Sequence, residues 1–229
     1  MALHLLTGAG SGIGAALAAR LHARGDDLIL LARSDARAVE LRERFPGAST
    51  LVADLAAPRD LAAALAQHEL PARLDSLLHV AGVVDLGTVA ELTVDAWTSQ
   101  LDVNLVAPAE LTRLLLPALR AAKGQVLFVN SGAGLRAAPE WAAYAASKHG
   151  LKALADSLRA EEASNGVRVS SVYPGRTATA MQERVHEQEG RDYDPAAFID
   201  ADSVVTSILT VLDLPRDAQI PDLTIRPGV

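Results

Sequence analysis

Seven short apolar runs alternate along the chain with longer stretches of helical period, and that alternation restricts the fold more than any other feature. The runs Leu3–Thr7, Asp27–Ala32, Ser49–Ala53, Ser76–Val80, Gln125–Asn130, Val167–Tyr173 and Leu223–Ile225 read as strands. Several are Leu, Val and Ile with little alternation, as strands covered on both faces should be. The segments 13–24, 35–44, 59–68, 94–121, 141–164 and 203–212 read as helices. Strand and helix in alternation imply a parallel sheet with helices on both sides, and right-handed crossovers make it doubly wound. The expectation is therefore an α/β, single-domain Rossmann-type sheet of about seven strands spanning residues 1–229.

Composition agrees with one compact domain. The 229 residues are 50% apolar and 21% charged, which excludes intrinsic disorder. With 21 Lys+Arg against 28 Asp+Glu, the formal charge of −7 repels nucleic acid and anionic membrane surfaces, so neither is expected as a partner. Without cysteine, thiolate chemistry and disulfides are impossible. The six histidines are scattered without ligand spacing, so no metal site is expected. The uncharged stretch Met1–Ala19 has no basic residue before Arg20 and is broken by Gly8, Gly10, Gly12 and Gly14. It reads as neither leader nor membrane span, and a soluble, cytoplasmic protein is expected.

The first strand runs into Thr7-Gly8-Ala9-Gly10-Ser11-Gly12-Ile13-Gly14 and then a helix. Glycines let a backbone turn tightly and approach a phosphate, and a helix N-terminus offers that phosphate free N–H groups and a partial positive charge. At the end of the second strand, an acid would hydrogen-bond a ribose 2′-hydroxyl and an Arg would accept a 2′-phosphate. Ala32 stands in the acid's place with Arg33 beside it, which favours NADP(H). Asp54-Leu55 closes the third strand, from where Asp54 could meet an adenine or simply cap a turn.

Tyr144-Ala145-Ala146-Ser147-Lys148 places a phenol and an ammonium one helical turn apart on one face. A nearby cation would lower the phenol's pKa of roughly 10 toward the range useful for proton transfer. Ser131 follows an apolar strand, at the carboxyl edge where open parallel sheets hold ligands. Its hydroxyl could donate to a carbonyl as negative charge develops there.

Taken in order, Thr7–Gly14, Asp54, Ala81-Gly82, Asn104, Ser131, Tyr144 with Lys148, and Pro174-Gly175 followed by Thr179 resemble the short-chain dehydrogenase/reductase family through nearly the whole chain. The resemblance implies hydride transfer between a nicotinamide and a carbonyl or secondary alcohol. Tyr144 would then donate the proton, Ser131 would polarise the carbonyl, and Lys148 would bind the nicotinamide ribose and lower the Tyr144 pKa. Asn104 would hold a water through its backbone, and Thr177 and Thr179 would meet the carboxamide. Thr7, Gly8, Ser11, Gly12, Ile13, Gly14, Arg33, Asp54, Leu55, Ala81, Gly82, Pro174 and Gly175 complete the expected cofactor site. The family also implies a homodimer or homotetramer paired through the helices at 94–121 and 141–164, whose Leu111, Leu114, Leu115, Leu116, Leu151, Leu154 and Leu158 exceed one buried face.

Three residues depart from the family pattern. His79-Val80 precedes Ala81-Gly82 where Asn-Asn is usual, which puts the local rigidity of the sheet in doubt. No basic residue sits inside the glycine motif, leaving Arg33 and Arg37 to read a 2′-phosphate. Arg176 replaces an apolar residue beside the nicotinamide. It selects anionic substrates, pairs with an acid such as Glu183 or Glu187 from segment 177–200, or touches the cofactor pyrophosphate; that segment is itself a candidate substrate flap or a solvated helix. Trp141, three residues before Tyr144, reads as packing or pocket wall. The leading expectation is an NADPH-dependent carbonyl reductase. An NAD-linked alcohol dehydrogenase and a non-catalytic nucleotide-binding regulator are the alternatives.

Overall fold

The structure, a computed structural model, describes residues 1–228. Seven parallel strands form one sheet in the order β3-β2-β1-β4-β5-β6-β7. They are β1 Leu3–Thr7, β2 Asp27–Ala32, β3 Ser49–Val52, β4 Ser76–His79, β5 Gln125–Val129, β6 Arg168–Pro174 and β7 Asp222–Ile225. Successive side chains in each strand point to opposite faces. Leu5, Leu77 and Phe128 join one core, with Leu61, Leu111, Leu115 and Leu151. Leu6, Leu78 and Leu127 join the other, with Leu17, Leu21, Val204 and Ile208. Continuous apolar runs were the sign of these two-sided strands.

The helices are α1 Gly12–Ala23, α2 Asp35–Arg44, α3 Leu61–Leu65, α4 Val94–Leu101, α5 Ala107–Ala122, α6 Ala142–Glu162, α7 Ala180–Glu189 and α8 Ala201–Leu212. The expected helix 94–121 is in fact two, joined by a π-helical turn at Asp102–Val106. Pro108 lacks an N–H, so the Asn104 carbonyl four residues back cannot receive its normal helical bond. The expected helix 59–68 is also shorter, with a 3-10 turn at Pro58–Asp60 leading into the single turn of α3.

Segment 177–200 holds α7. Its base is pinned by a parallel bridge between Thr177 and Ile199, and Gln182, Val185 and His186 are buried beneath it. No helix among the described residues is long and apolar enough to cross a membrane.

Candidate active site

The strand order reverses on either side of β1 and β4, so the chain leaves these neighbours toward opposite faces and opens a crevice at their carboxyl ends. A cleft of about 960 Å³ occupies that position. Its floor depends on two glycines. Gly8 has φ +80°, and a Cβ there would stand 2.8 Å from the Ala81 nitrogen. A Cβ on Gly14 would lie 2.1 Å from the Gly8 carbonyl oxygen, so α1 can seat against the loop only as glycine. Ser11 precedes α1 without making a side-chain cap, and no acid stands in the first turn. The positive end of α1 is thereby left to an outside anion.

Gly8, Ser11, Gly12, Ile13, Gly14, Arg33, Asp54, Leu55, Ala81, Gly82, Pro174, Gly175, Thr177 and Thr179 all line the cleft. Thr7 stands beneath it instead. Its hydroxyl accepts from the Val80 and Ala81 N–H groups at 3.0 and 3.1 Å, tying the ends of β1 and β4 together. Asp54 accepts from the Ala56 N–H at 2.9 Å, which makes it a turn-former on the cleft wall. Beyond Ala32, Arg33 is exposed, and the Arg37 guanidinium lies against Gly10 while paired with Glu40.

At the other end, Ser131, Tyr144 and Lys148 converge on the cleft from β5 and α6. Ser131 is locked from both sides. Its N–H donates to Asn130 Oδ1 at 2.8 Å, and its Oγ accepts from the Ala133 N–H at 3.1 Å. Asn130 also donates to the Lys148 carbonyl at 3.1 Å. A Cβ on Gly134 would lie 2.4 Å from Asn130 Oδ1, so this glycine permits the close approach of loop and helix.

At Tyr144 burial dominates the electrostatics. Burial pushes its pKa up, and the group that pulls it back is the Ser131 hydroxyl. The Lys148 ammonium, directed at the Val129 carbonyl at 3.1 Å, sits 5.8 Å from the Tyr144 ring centroid. Its own burial lowers the Lys148 pKa to about 8.

Asn104 is buried in the π-helical turn and does not line the cleft. Its Nδ2 donates to the Val83 carbonyl at 2.9 Å and to Ser147 Oγ at 3.0 Å, while Oδ1 accepts from the Val83 N–H at 2.9 Å. Ser147 in turn donates to the Tyr144 carbonyl at 2.7 Å. One amide thus ties the loop after β4 to the helix that carries Tyr144. Asn130 and Ser147 were missed in the sequence. Their only signals were adjacency to Ser131 and a hydroxyl three residues after Tyr144.

The rigidity placed in doubt by His79 is supplied by His79 itself. Its Nε2 meets Thr112 Oγ1 at 2.9 Å, and its ring stacks on Phe128 with centroids 4.9 Å apart. Burial lowers its pKa to about 3, which keeps the ring neutral.

Arg176 is clamped by Glu189, with one bond at 2.8 Å and a second shorter one. Glu183 and Glu187, the acids expected to hold it, are exposed. On α7, Gln182, Val185, His186 and Glu189 follow i, i+3, i+4, i+7 and share the inward face, which explains why Glu189 reaches Arg176. The Arg176 guanidinium also lies 5.7 Å from the Trp141 ring, which meets Tyr144 edge-on at 5.7 Å. Trp141 is therefore pocket wall. Among the described residues, no group of three or more His, Cys, Asp or Glu could hold a metal.

A family model described as short chain dehydrogenase matches residues 3–190. The oxidoreductase UcpA of Escherichia coli O157:H7 is 33% identical over 93% of this chain and 80% of its own length. Among solved structures, 4-hydroxyisoleucine dehydrogenase complexed with NADH superposes with a TM-score of 0.84 at 26% identity, covering 100% of this chain and 98% of that one. A short-chain dehydrogenase from Sphingobium yanoikuyae in complex with NADPH gives a TM-score of 0.80 at 29% identity, covering 100% and 89%.

Proposed function

The chain belongs to the short chain dehydrogenase family, and on that premise we propose that it is an NADPH-dependent reductase that converts a ketone or aldehyde to an alcohol. It is an oxidoreductase whose cofactor is a nicotinamide dinucleotide. The cleft suits that group: two glycines without room for a Cβ, an uncapped helix N-terminus for the pyrophosphate, and a cation beside Ala32 for a 2′-phosphate. Gly8, Ser11, Gly12, Ile13 and Gly14 would hold the pyrophosphate, Arg33 the adenosine end, and Lys148, Thr177 and Thr179 the nicotinamide end. When bound, the nicotinamide supplies the hydride.

The observation that carries the reductase reading is the state of Ser131 and Tyr144. Ser131 Oγ accepts a backbone N–H and its O–H bonds the Tyr144 phenol, from where it would donate to a substrate carbonyl oxygen. Tyr144 is held protonated by burial, the state required of an acid that gives its phenolic proton to that oxygen as it becomes an alcohol. Lys148, cationic below about pH 8, lies beside the phenol and favours the phenolate left behind. Asn104 and Asn130 keep these groups in register.

We assign NADPH over NADH from Ala32 and Arg33, with Arg37 nearby. Steady-state kcat/KM with both cofactors, across ketones, aldehydes, quinones and 3-oxoacyl thioesters, tests the reading. NADPH should be preferred, and Ala32→Asp with Arg33→Ser should swing the preference toward NADH. A wild type that favours NADH overturns the cofactor assignment and leaves the NAD-linked alcohol dehydrogenase. We also propose two-fold pairing through α5 and α6, where Leu114, Leu116 and Leu154 are only half-buried, and Val106, in the π-helical turn just before α5, is 43% exposed.

A further inference from the structure

The chain has a formal charge of −7, yet Arg33, Arg37, Arg136, Lys148, Arg176 and Arg184 line its cleft against a single acid, Asp54. Four of these cations are accounted for. Arg33 and Arg37 stand at the adenosine end, Lys148 is beside the phenol, and Arg176 is neutralised by Glu189. Arg136 and Arg184 remain. Among the described residues neither side chain has an ion-pair or hydrogen-bond partner. Arg136 lies five residues past Ser131, where its own N–H donates to the Gly132 carbonyl at 3.1 Å and fixes the turn. Arg184 lies on α7, beside buried Val185, which also lines the cleft. The two guanidinium groups thus come from the loop after the hydroxyl donor and from the covering helix. The lining of the same cleft also includes apolar side chains, among them Val83, Val84, Val103, Trp141 and Met181.

From this arrangement we propose that the substrate is a carbonyl compound bearing a carboxylate, with the carboxylate held by Arg136 and Arg184 at the mouth. The apolar wall takes the short aliphatic body, and the carbonyl reaches Ser131 and Tyr144. Guanidinium forks match the two oxygens of a carboxylate, and a positive cleft in a negative molecule draws an anion toward it. The inference rests on the reductase reading above and gives Arg176, whose charge is already used, no part in anion binding.

The test compares 4-oxopentanoate with its methyl ester on protein saturated with its nicotinamide cofactor. Calorimetry reads binding without turnover, and cofactor oxidation reads catalysis. The acid should bind at least about tenfold tighter than the ester at low ionic strength, and salt should narrow the gap. Arg136→Gln combined with Arg184→Gln should bring the acid-to-ester ratio close to one, and each single substitution should cause part of that loss. Equal binding of acid and ester overturns the proposal. So do variants that weaken both compounds equally or that raise only the cofactor KM, because the arginines would then serve the fold or the cofactor. Acid-selective binding that depends on both arginines, with no turnover of any carbonyl compound, would uphold the carboxylate site and sink the reductase reading, and with it the claim that the bound acid is a substrate.

Discussion

Replacing Asn104 by Ala should destabilise the protein and loosen Tyr144 at the same time. The Asn104 side chain makes three hydrogen bonds of 2.9–3.0 Å at a fully buried position, two to the backbone of Val83 and one to Ser147. Each is worth about 1 kcal/mol net, and a buried group left unpaired costs about 1–3 kcal/mol. Ser147 keeps its bond to the Tyr144 carbonyl, and Val83 is half-buried, so water can recover part of the loss. The expected cost is about 2–3 kcal/mol, or a fall in Tm on the order of 4–12 °C for a chain of this size. Urea unfolding at pH 7 gives the free energy, and kcat gives the catalytic effect. Ser147→Ala, which leaves both Val83 bonds in place, should cost about half as much. If Asn104→Ala changed the unfolding free energy by less than about 0.5 kcal/mol, the amide would not be the brace described here.

Three further outcomes follow from the site. Because burial lowers the Lys148 pKa from the ordinary lysine value of 10.5 to about 8, its charge opposes folding at pH 7, and that penalty disappears as pH rises from 8 to 10.5. Cofactor-free Lys148→Met should therefore be more stable than wild type at pH 7 by about 2–3 kcal/mol, with the gap closing through that window in urea titrations; a pH-independent gap would contradict it. Arg176→Leu strands the Glu189 carboxylate and removes the cation over Trp141, so tryptophan emission should shift and kcat/KM should fall alike for acidic and neutral ketones. A loss confined to acidic ketones would return the anion role to Arg176. Light scattering at micromolar concentration should give a dimer or tetramer, and a monomer would reject the pairing through α5 and α6.

The sheet was legible because its cause is local. Short apolar runs such as Leu28–Leu31 and Val126–Val129 suit strands covered on both sides, and the observed strand ends differ from the expected ones by one residue at most. The cleft-lining glycines, Ser131, Tyr144 and Lys148 were legible because each occupies a position set by a strand end or a helical turn. What escaped was long-range. The π-helical turn was hidden inside one continuous helical pattern, although Pro108, four residues after Asn104, marked it. That the Asn104 amide braces Val83 and Ser147, 21 and 43 residues away, depends on tertiary packing that no periodicity reports. The same holds for the pairing of Arg176 with Glu189 instead of Glu183 or Glu187, which required knowing which face of α7 turns inward. The burial that raises the Tyr144 pKa escaped for a related reason. Spacing shows that a cation is near but not how deeply the phenol is buried, and burial dominates.

Tyr144→Phe tests the central claim most directly, since it removes the transferable proton and leaves the buried ring in place. With a carbonyl compound that the wild type reduces, kcat should fall by about 10²–10⁴-fold while NADPH still binds to the variant with near wild-type Kd. A variant that kept more than about a tenth of the wild-type kcat would show that the proton comes from elsewhere, and the assignment of Tyr144 as its donor would be wrong.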